Sequence, residues 1–592
     1  MVNTSDALST ATRRLIALLA VGATALAWIQ PATAGPAKKH VVHAAPIAVA
    51  PKGPPKLLVA IAIDQFSADL FAQYRSHFTG GFARLTQGAV FANGFQSHAA
   101  TETCPGHSTI LTGAHPGRTG IIANNWYDLT LTRADKRVYC AENEADKDSS
   151  SRDPVVSAVH LKVPTLGERM KQQWPESRNV AVSVKDRAVA MMGGHAIDAG
   201  YWYTAQGFSS FNGVTLAPAV LDANMKILGL VTKGAPAMVA PAWCAARNRP
   251  IKAGAVTVGT GRFAIDTNDY EHKPGDQFKY SPRADAVTLD IAAGLVGEMK
   301  LGRGQAPDML SVSLSATDYI GHAFGTEGVE MCIQMEQLDQ KLGAFFAKLD
   351  AAGLDYAVVL TADHGGIDLP ERLREQGDPE ARRAETDLYG ETIGKAIASE
   401  LGLTQVLPPC NPGPDSPASP ANIVCSEGLF GDYWISPALP AETRAKIADR
   451  LVEKLSANPQ VAMVFTHAQI AATPYPIGHP QDWTMLQRVR ASFDPARSGD
   501  VYSVLKRAIV PVSTPGANST TVTTHGSPYD YDRRVPMLFW RKGLTGLEQP
   551  QPVETVDIAP TLAALIGLPV AKGAFDGRCL DIDGGPADSC GK

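Results

Sequence analysis

Continuous hydrophobic runs of strand length alternate with helical patterns along most of the chain. The first run covers residues 57–63 and ends at Asp64, and similar runs cover residues 180–184, 309–314 and 356–361. Runs that are apolar on both faces are typical of strands buried in a parallel sheet, with helices packed on each side. We therefore predict an α/β fold with a doubly wound, mostly parallel central sheet and inserted cap segments.

Helical patterns fill the intervals between these runs. The clearest one places apolar residues at alternating four- and three-residue steps from Met331 to Leu349, and Gly353 stands just beyond its end. We interpret this Met and Phe stripe as core packing and not as a cofactor site. Residues 535–540 predict another strand of the sheet, and residues 557–565 predict a helix.

Two segments do not follow this alternation of strand and helix patterns, and they cover approximately residues 188–285 and 366–520. We expect both to be insertions in one catalytic domain that spans residues 56–585, where they would cap the carboxyl edge of the sheet. In open α/β sheets that edge is where ligands bind.

The N-terminus predicts export. Arg13 and Arg14 precede an apolar run over residues 15–29, and Ala32-Thr33-Ala34 then resembles a cleavage site. We predict a signal peptide over residues 1–34, a flexible leader over residues 35–55 and a periplasmic protein without a membrane span after cleavage. A signal anchor is the alternative, although the run is shorter than the ~20 residues that a span needs. Export by the general or the twin-arginine route stays open.

The charge balance and the cysteine content limit the possible partners and predict disulfides. The 592 residues include 54 Lys and Arg against 59 Asp and Glu, a net charge of −5, so the chain lacks the basic excess of a nucleic-acid-binding surface. Eight cysteines in an exported protein permit disulfides. We expect the pairs Cys410–Cys425, Cys579–Cys590 and Cys140–Cys244, and we expect Cys104 and Cys332 to be unpaired.

Carboxylate and imidazole groups follow the hydrophobic runs. Because parallel strands end at one edge of a sheet, these side chains should lie together, and they are Asp64, Asp318, His322, Asp363, His364 and His525. Nitrogen and oxygen ligands without thiolate suit catalytic Zn²⁺ better than a closed structural site. The sequence therefore predicts a metal centre at this edge.

Thr103 is a candidate nucleophile. It stands just before a short helical pattern, and a hydroxyl at a helix N-terminus next to Zn²⁺ has a lowered pKa. An ordinary threonine helix cap is the alternative reading of this segment alone.

A family resemblance unites these positions. The chain resembles the alkaline phosphatase superfamily, and within it the type I phosphodiesterase/nucleotide pyrophosphatase branch, through Thr103-Cys-Pro-Gly-His107, Thr112-Gly113, Gly120-Ile-Ile-Ala-Asn124, Ala316-Thr-Asp-Tyr-Ile-Gly-His322, Thr361-Ala-Asp-His-Gly365 and Thr524-His-Gly-Ser527. The resemblance implies two Zn²⁺ ions per subunit. It assigns Asp318, His322 and His525 to one ion, and Asp64, Asp363, His364 and the nucleophile Thr103 to the other.

The same resemblance assigns substrate contacts. It implies that Asn124, or else Asn125, contacts a phosphoryl oxygen. Lys185 and Arg187 resemble the Lys-x-Arg pair of PafA-like periplasmic alkaline phosphatases, and two cations suit the dianionic phosphoryl group of a monoester. Sulfatases are excluded because Thr103 cannot be oxidised to their aldehyde nucleophile.

We therefore expect a secreted, zinc-dependent alkaline phosphatase that hydrolyses small-molecule phosphate monoesters through a phosphothreonine, and we expect a monomer. The alternatives are a phosphodiesterase or nucleotide pyrophosphatase, and a non-catalytic phosphate-binding relative. Four aromatic residues in the first insertion are candidates for stacking on a leaving group, although packing is the commoner role, and they are Tyr201, Trp202, Tyr203 and Trp243.

Overall fold

A ten-stranded sheet runs through the computed structural model, which describes residues 53–269, 272–411 and 418–591. The predicted signal peptide and nearly all of the predicted leader lie outside the described residues. Among the helices of this described part, none combines the length and the apolar character that crossing a bilayer would require.

The described strands are, in chain order, β1 (Leu57–Ile63), β2 (Ala89–Phe95), β3 (Asn125–Tyr127), β4 (Arg137–Tyr139), β5 (Asn179–Ser183), β6 (Ala199–Thr204), β7 (Gly207–Ser210), β8 (Ile251–Ala253), β9 (Val256–Val258), β10 (Asp308–Leu314), β11 (Tyr356–Thr361), β12 (Arg382–Arg383), β13 (Val424–Ser426), β14 (Gly431–Ile435), β15 (Val461–Thr466), β16 (Val501–Leu505), β17 (Ile509–Val510), β18 (Arg534–Arg541), β19 (Leu547–Glu548) and β20 (Val553–Glu554).

The described α-helices are α1 (Ala68–Tyr74), α2 (Gly81–Leu85), α3 (Thr103–Thr112), α4 (Pro116–Thr119), α5 (Leu166–Gln173), α6 (Asp186–Gly193), α7 (Pro218–Lys233), α8 (Pro274–Lys279), α9 (Pro282–Glu298), α10 (Ala316–Phe324), α11 (Val329–Ala351), α12 (Pro370–Glu375), α13 (Gly390–Glu400), α14 (Ala441–Ala457), α15 (His467–Ala472), α16 (Met485–Ser492), α17 (Asp530–Arg533) and α18 (Ile558–Leu565).

The large sheet has the order β19-β2-β18-β11-β1-β10-β5-β6-β7, and β20 also pairs with β2. The central strands β11, β1, β10, β5 and β6 are all parallel to their neighbours within that run. Strand β18 is antiparallel to both β11 and β2. The predicted α/β fold with a mostly parallel sheet is thus confirmed.

Burial on both faces explains why the strands read as continuous apolar runs. In β1, Leu57, Val59, Ile61 and Ile63 pack into one core, while Leu58, Ala60 and Ala62 pack into the core on the opposite face. Successive strand residues point to opposite faces, so a strand covered on both sides must be apolar at every position. The same argument applies to β10 and β11, whose residues are all buried.

The helix predicted from Met331 to Leu349 is α11, which extends over Val329–Ala351 and buries its Met, Leu and Phe residues in the core. The strand predicted over residues 535–540 is β18, and the helix predicted over residues 557–565 is α18 with a preceding 3-10 turn at Thr555–Asp557.

The second poorly alternating segment contains a small sheet of its own. Strands β13, β14, β16 and β15 pair in that order with antiparallel neighbours, and helices α13 and α14 help to enclose a separate apolar cluster. The first such segment contains the last two strands of the large sheet, β6 and β7, together with helix α7, the hairpin of β8 and β9, and α8.

All eight cysteines form disulfides in the structure. The predicted pairs Cys410–Cys425 and Cys579–Cys590 are confirmed. The pair Cys140–Cys244 is wrong, and so is the expectation that two cysteines are unpaired, because the other bonds are Cys104–Cys140 and Cys244–Cys332.

The geometry of the helices explains the two wrong assignments. Cys104 adjoins Thr103, but adjacent helical residues point in different directions, and Cys104 faces an apolar cluster that contains Cys140 and Trp126. Cys332 lies on α11 opposite the 3-10 turn Ala242–Arg247, which carries Cys244.

Helix α3 is clamped between the sheet and the C-terminal segment. Its Gly106 approaches the segment after β11 so closely that a Cβ there would lie 2.0 Å from the carbonyl oxygen of Asp363. Just beyond the helix, the buried His115 ring contacts Glu554 at 3.0 Å and Asp576 at 3.3 Å. The position of α3 therefore depends on the segment after β11 and on the C-terminal segment.

His115 should make the free energy of unfolding fall as the pH rises into the alkaline range. Burial lowers its pKa, but the two carboxylates outweigh burial and raise the pKa of His115 from 6.5 to about 9. The ionised ring therefore stabilises the fold fully below pH 6.5, and this contribution is lost as the pH rises through 9. We expect His115→Gln to lower the free energy of unfolding by roughly 3 kcal/mol at pH 6 and by much less at pH 10.

Urea unfolding at the two pH values measures this difference, with the exposed His479→Gln as a control that should change little at either pH. An equal loss for His115→Gln at pH 6 and pH 10 would show that the charge on His115 contributes nothing.

Candidate active site

The central parallel strands bring four polar chain segments side by side at one edge of the sheet. Asp64 follows β1, and Lys185 follows β5 and begins α6. Asp318 lies in the first turn of α10 after β10, and Asp363 with His364 follows β11. These strands are neighbours in the order β11-β1-β10-β5, so their carboxyl ends meet.

The first group of potential ligands contains Asp318, His322 and His525. One ligand atom from each lies within 4.8 Å of the others. The Asp318 Oδ1 atom is 3.2 Å from His322 Nε2 and 3.5 Å from His525 Nε2. Asp318 and His322 share a face of α10 because they are four residues apart, whereas His525 comes from the loop before α17.

The second group contains Asp64, Asp318 and His364, again within 4.8 Å of one another. His364 Nε2 is 3.3 Å from Asp64 Oδ1 and 3.4 Å from Asp363 Oδ2. The structure thus brings Asp64, Asp363 and His364 together as the sequence suggested, and it also places Asp318 between the two groups.

Each of the three histidines presents its Nε2 atom to the carboxylates. The Nδ1 atoms donate to backbone carbonyls, with His322 bonded to Thr523 at 2.9 Å, His364 to Gly365 at 2.8 Å and His525 to Thr101 at 2.8 Å. A carbonyl can only accept, so Nδ1 carries a proton in each ring and Nε2 is the nitrogen that faces inward. Backbone bonds of this kind commonly orient metal-ligating histidines.

Several inward-facing atoms also make no hydrogen bond within the described part of the chain, although they are buried, and these are Asp64 Oδ1, Asp318 Oδ1, Asp363 Oδ2 and His364 Nε2. Buried polar atoms without partners are costly unless something else binds them. Oxygen and imidazole donors that converge in this way fit divalent metal cations.

Lys185 lies at the centre of these carboxylates. Its Nζ atom is 2.5 Å from an oxygen of Asp64 and 2.5 Å from an oxygen of Asp318. Burial raises the pKa of both acids, but Lys185 and the neighbouring histidines outweigh it and hold both pKa values below their ordinary range. Both carboxylates are therefore ionised and available to cations at neutral pH.

Thr103 begins helix α3 and is almost completely buried. Lys185 Nζ and Arg187 Nη2 both donate toward its hydroxyl oxygen, at 3.3 Å and 3.4 Å. Two cations at a helix N-terminus favour an oxyanion at this position and would also favour an incoming anion. The hydroxyl therefore occupies the place expected of a nucleophile.

Asn124 connects to the same helix from the loop before β3. Its side-chain oxygen accepts a 2.8 Å hydrogen bond from the amide of Cys104, and its own amide donates to Glu102 Oε2 at 2.8 Å. Because the oxygen is used here, the Nδ2 group is the part of the carboxamide that can donate to a ligand. Asn125 belongs to β3, where it pairs opposite Tyr139.

Sequence reasoning missed two supporting residues. His107 bonds the Thr103 carbonyl at 2.9 Å and Ser313 Oγ at 2.9 Å, and its Nδ1 is 3.1 Å from Asp363 Oδ2. Glu102 holds the Asn124 loop. Both residues adjoin or belong to the Thr103 motif, and this closeness in sequence was the available signal. The residues that they contact, Ser313 and Asp363 for His107 and Asn124 for Glu102, lie further along the chain.

The four aromatic residues that were candidates for stacking on a leaving group lie in different surroundings in the structure. Tyr201 is buried in the core, and Trp243 stacks on His77. Trp202 and Tyr203 line a cavity that Lys185 and Arg187 also line. Only the latter two are therefore placed near the candidate site.

Comparisons with known proteins agree with this geometry. The family model for type I phosphodiesterase/nucleotide pyrophosphatase matches residues 58–528. The chain is 51% identical to alkaline phosphatase PhoK of Sphingomonas sp. over 539 residues, which cover 91% of this chain and 93% of that protein. It is 44% identical to alkaline phosphatase PhoD of Zymomonas mobilis, covering 90% and 89% of the two chains.

A solved structure is similar throughout. The crystal structure of wild-type alkaline phosphatase PafA matches with a TM-score of 0.75 and 25% identity, covering 90% of this chain and 99% of that one. The chain therefore belongs to the type I phosphodiesterase/nucleotide pyrophosphatase family of the alkaline phosphatase superfamily, and within it to the PafA-like alkaline phosphatase hydrolases.

Proposed function

We propose that this protein is a zinc-dependent phosphomonoesterase in which Thr103 becomes transiently phosphorylated. The observation that carries the proposal is the position of the Thr103 hydroxyl, which faces Lys185 and Arg187 beside two converging groups of carboxylate and imidazole atoms. The names of the relatives, alkaline phosphatases PhoK and PhoD, support the same activity.

Two sets of side chains would hold the metals. One ion would bind Asp318, His322 and His525, and the other would bind Asp64, Asp363 and His364 next to Thr103. When bound, two Zn²⁺ ions supply Lewis-acid stabilisation of the attacking and leaving oxygens and lower the pKa of a coordinated hydroxyl group.

The chain's own residues prepare the nucleophile. Lys185 and Arg187 donate toward Thr103 Oγ1, and hydrogen bonds to an oxyanion lower the pKa of its hydroxyl. The Thr103 hydroxyl would lose its proton to solvent, and its oxygen would form a bond to phosphorus while the bond from phosphorus to the leaving oxygen breaks. The leaving oxygen would then take up a proton from solvent. Water subsequently attacks the phosphothreonine, releases inorganic phosphate and restores the hydroxyl.

Lys185, Arg187 and Asn124 would stabilise the equatorial oxygens during both steps. The guanidinium of Arg187 can grip two oxygens as a fork, while Lys185 acts as a point charge. A dianionic monoester benefits from both cations, whereas a diester carries one charge fewer. The pair therefore favours a monoesterase over the phosphodiesterase and nucleotide pyrophosphatase alternative.

We propose further that the protein is exported to the periplasm and acts as a monomer on small-molecule esters. The predicted signal peptide supports export, and so do the four disulfides, because disulfides persist in oxidising compartments. The domain boundary at residues 56–585, with insertions at about 188–285 and 366–520, is part of the same proposal.

Replacing the nucleophile gives the first test of this function. Thr103→Ala should remove the trapped phosphoenzyme and lower kcat on para-nitrophenyl phosphate by roughly 1000-fold or more, because the attacking oxygen is lost. Thr443→Ala, which removes the same groups from α14, is the matched control and should keep full activity. Turnover by Thr103→Ala close to that of the wild type would sink the assignment, as would a non-catalytic wild-type protein.

The cation pair gives the second test. The double variant Lys185→Ala/Arg187→Ala should lose roughly 1000-fold in kcat/KM on para-nitrophenyl phosphate but at least tenfold less on the bis-ester, because each lost charge-assisted hydrogen bond contributes about 1.5–3 kcal/mol. Rates are measured with and without a chelator to confirm metal dependence. Equal losses on the two esters would favour the diesterase alternative.

A further inference from the structure

A cavity of about 650 Å³ opens directly beside the two cations of the candidate site. Lys185, Arg187 and Tyr319 form one wall, and the end of β6 with Trp202 and Tyr203 forms another. Because Lys185 and Arg187 also donate toward Thr103, a phosphoryl group on that residue would lie next to the cavity.

The cavity lies toward the leaving side of the reaction. In-line displacement places the leaving oxygen opposite the Thr103 oxygen, and Asp318, His322 and His525 are the ligands assigned to that side. Tyr319 follows Asp318 on α10, and the Lys185 ammonium lies 5.2 Å from the Tyr319 ring centroid and 2.5 Å from Asp318. The cavity is therefore placed to receive the organic part of the substrate.

Two further lysines give this cavity a positive character. Lys273 and Lys279 come from the two ends of α8, and Lys279 Nζ lies 5.2 Å from the Tyr319 ring centroid. Three carboxylates also line the cavity. Asp276 lies 3.5 Å from Lys279, Asp186 accepts a 2.6 Å hydrogen bond from Tyr139, and Asp153 is exposed, so the four cationic side chains of the lining outnumber its carboxylates by one.

We propose that the cavity is a leaving-group subsite that selects phosphate monoesters whose leaving group carries a second negative charge. Lys273 and Lys279 would attract that charge, and the aromatic wall would contact the carbon skeleton. This proposal rests on the proposed phosphomonoesterase function.

The test compares two aryl esters with leaving groups of similar acidity, phenyl phosphate and 3-carboxyphenyl phosphate. In the wild type the ratio of kcat/KM values should favour the carboxylated ester. In Lys273→Ala/Lys279→Ala this ratio should fall by about tenfold, the size of effect expected when a charged contact is lost. The control Lys446→Ala/Lys454→Ala removes two lysines from α14 and should leave the ratio unchanged.

The possible results distinguish a failure of the subsite from a failure of the phosphomonoesterase function. An unchanged ratio in the α8 double variant would overturn the subsite while leaving the phosphomonoesterase function intact. Equal losses on both esters would also overturn it, since the lysines would then act on the shared phosphoryl chemistry. A wild-type protein that hydrolyses neither ester would overturn both proposals.

Gln65 directly follows Asp64 just after β1. Its φ is 65°, in the left-handed region that a non-glycine residue adopts at an energetic cost. The residue is fully buried, and its side-chain oxygen and nitrogen make no hydrogen bond within the described residues. Hydrogen bonding within the described chain therefore does not account for a glutamine at this strained position.

The Gln65 side chain instead packs against two glycines, Gly321 and Gly366. A Cβ on Gly321, which lies between Asp318 and His322, would be 1.6 Å from Gln65 Oε1, and a Cβ on Gly366 would be 2.9 Å from Gln65 Cδ. The backbone N–H of Gln65 also donates a hydrogen bond to Asp363 Oδ1 at 3.1 Å. One side chain thus lies between the segments that carry both groups of potential metal ligands.

We infer that Gln65 is a positioning residue, a spacer that sets the separation of the two ligand groups. Gln65→Ala should weaken Zn²⁺ affinity by about tenfold or more, the range seen when residues that orient metal ligands are changed. The near-isosteric Gln65→Met should keep the affinity within about threefold of the wild type, because it fills the same space. Affinity is measured on the metal-free protein by competition with a chromogenic chelator.

A double-mutant cycle keeps this inference falsifiable if Gln65→Ala folds poorly. Gly321→Ala should also weaken Zn²⁺ affinity, because its methyl group displaces Gln65, and adding Gln65→Ala should restore part of the loss. Wild-type affinity in Gln65→Ala would overturn the spacer role, and so would equal weakening in Gln65→Met and Gln65→Ala.

Discussion

Repulsion among buried carboxylates is the constraint on which this site depends. Asp64, Asp318 and Asp363 converge in an interior where like charges cannot be left uncompensated. Lys185 reaches two of them at 2.5 Å, and inward-facing imidazoles approach all three. The same ammonium also contacts the candidate nucleophile. Charge compensation and contact with the candidate nucleophile therefore share one side chain, so the position of Lys185 depends on whether cations occupy the carboxylates.

The topology of the sheet concentrates this charge. Parallel strands deliver their carboxyl ends to a single edge, so acids that follow β1, β10 and β11 become neighbours without further shaping of the chain. Strand β18 runs in the opposite direction, and its beginning lies at that edge. The loop before it can therefore contribute His525 from the far side. A wholly parallel sheet would start β18 at the opposite edge.

Much of this arrangement could be predicted from the sequence, because hydrophobic runs identify buried parallel strands and the residues after them must meet. The residue types then indicated metal chemistry, and motif resemblance supplied the assignment of individual residues. What could not be predicted depends on direction in three dimensions. Cys104 turns away from Thr103 toward Cys140, Asp318 contributes to both ligand groups, and Gln65 fits between glycines that are remote in sequence.

The hydrogen bond between His525 and Thr101 joins positions 424 residues apart. A ribosome adds residues from the N-terminus onward, so the segment that contains Thr101 and Thr103 is synthesised long before His525. No partial chain that stops short of the His525 loop can assemble both ligand groups. Any metal binding that needs both ligand groups must therefore follow synthesis of the His525 loop, in whichever compartment the polypeptide folds.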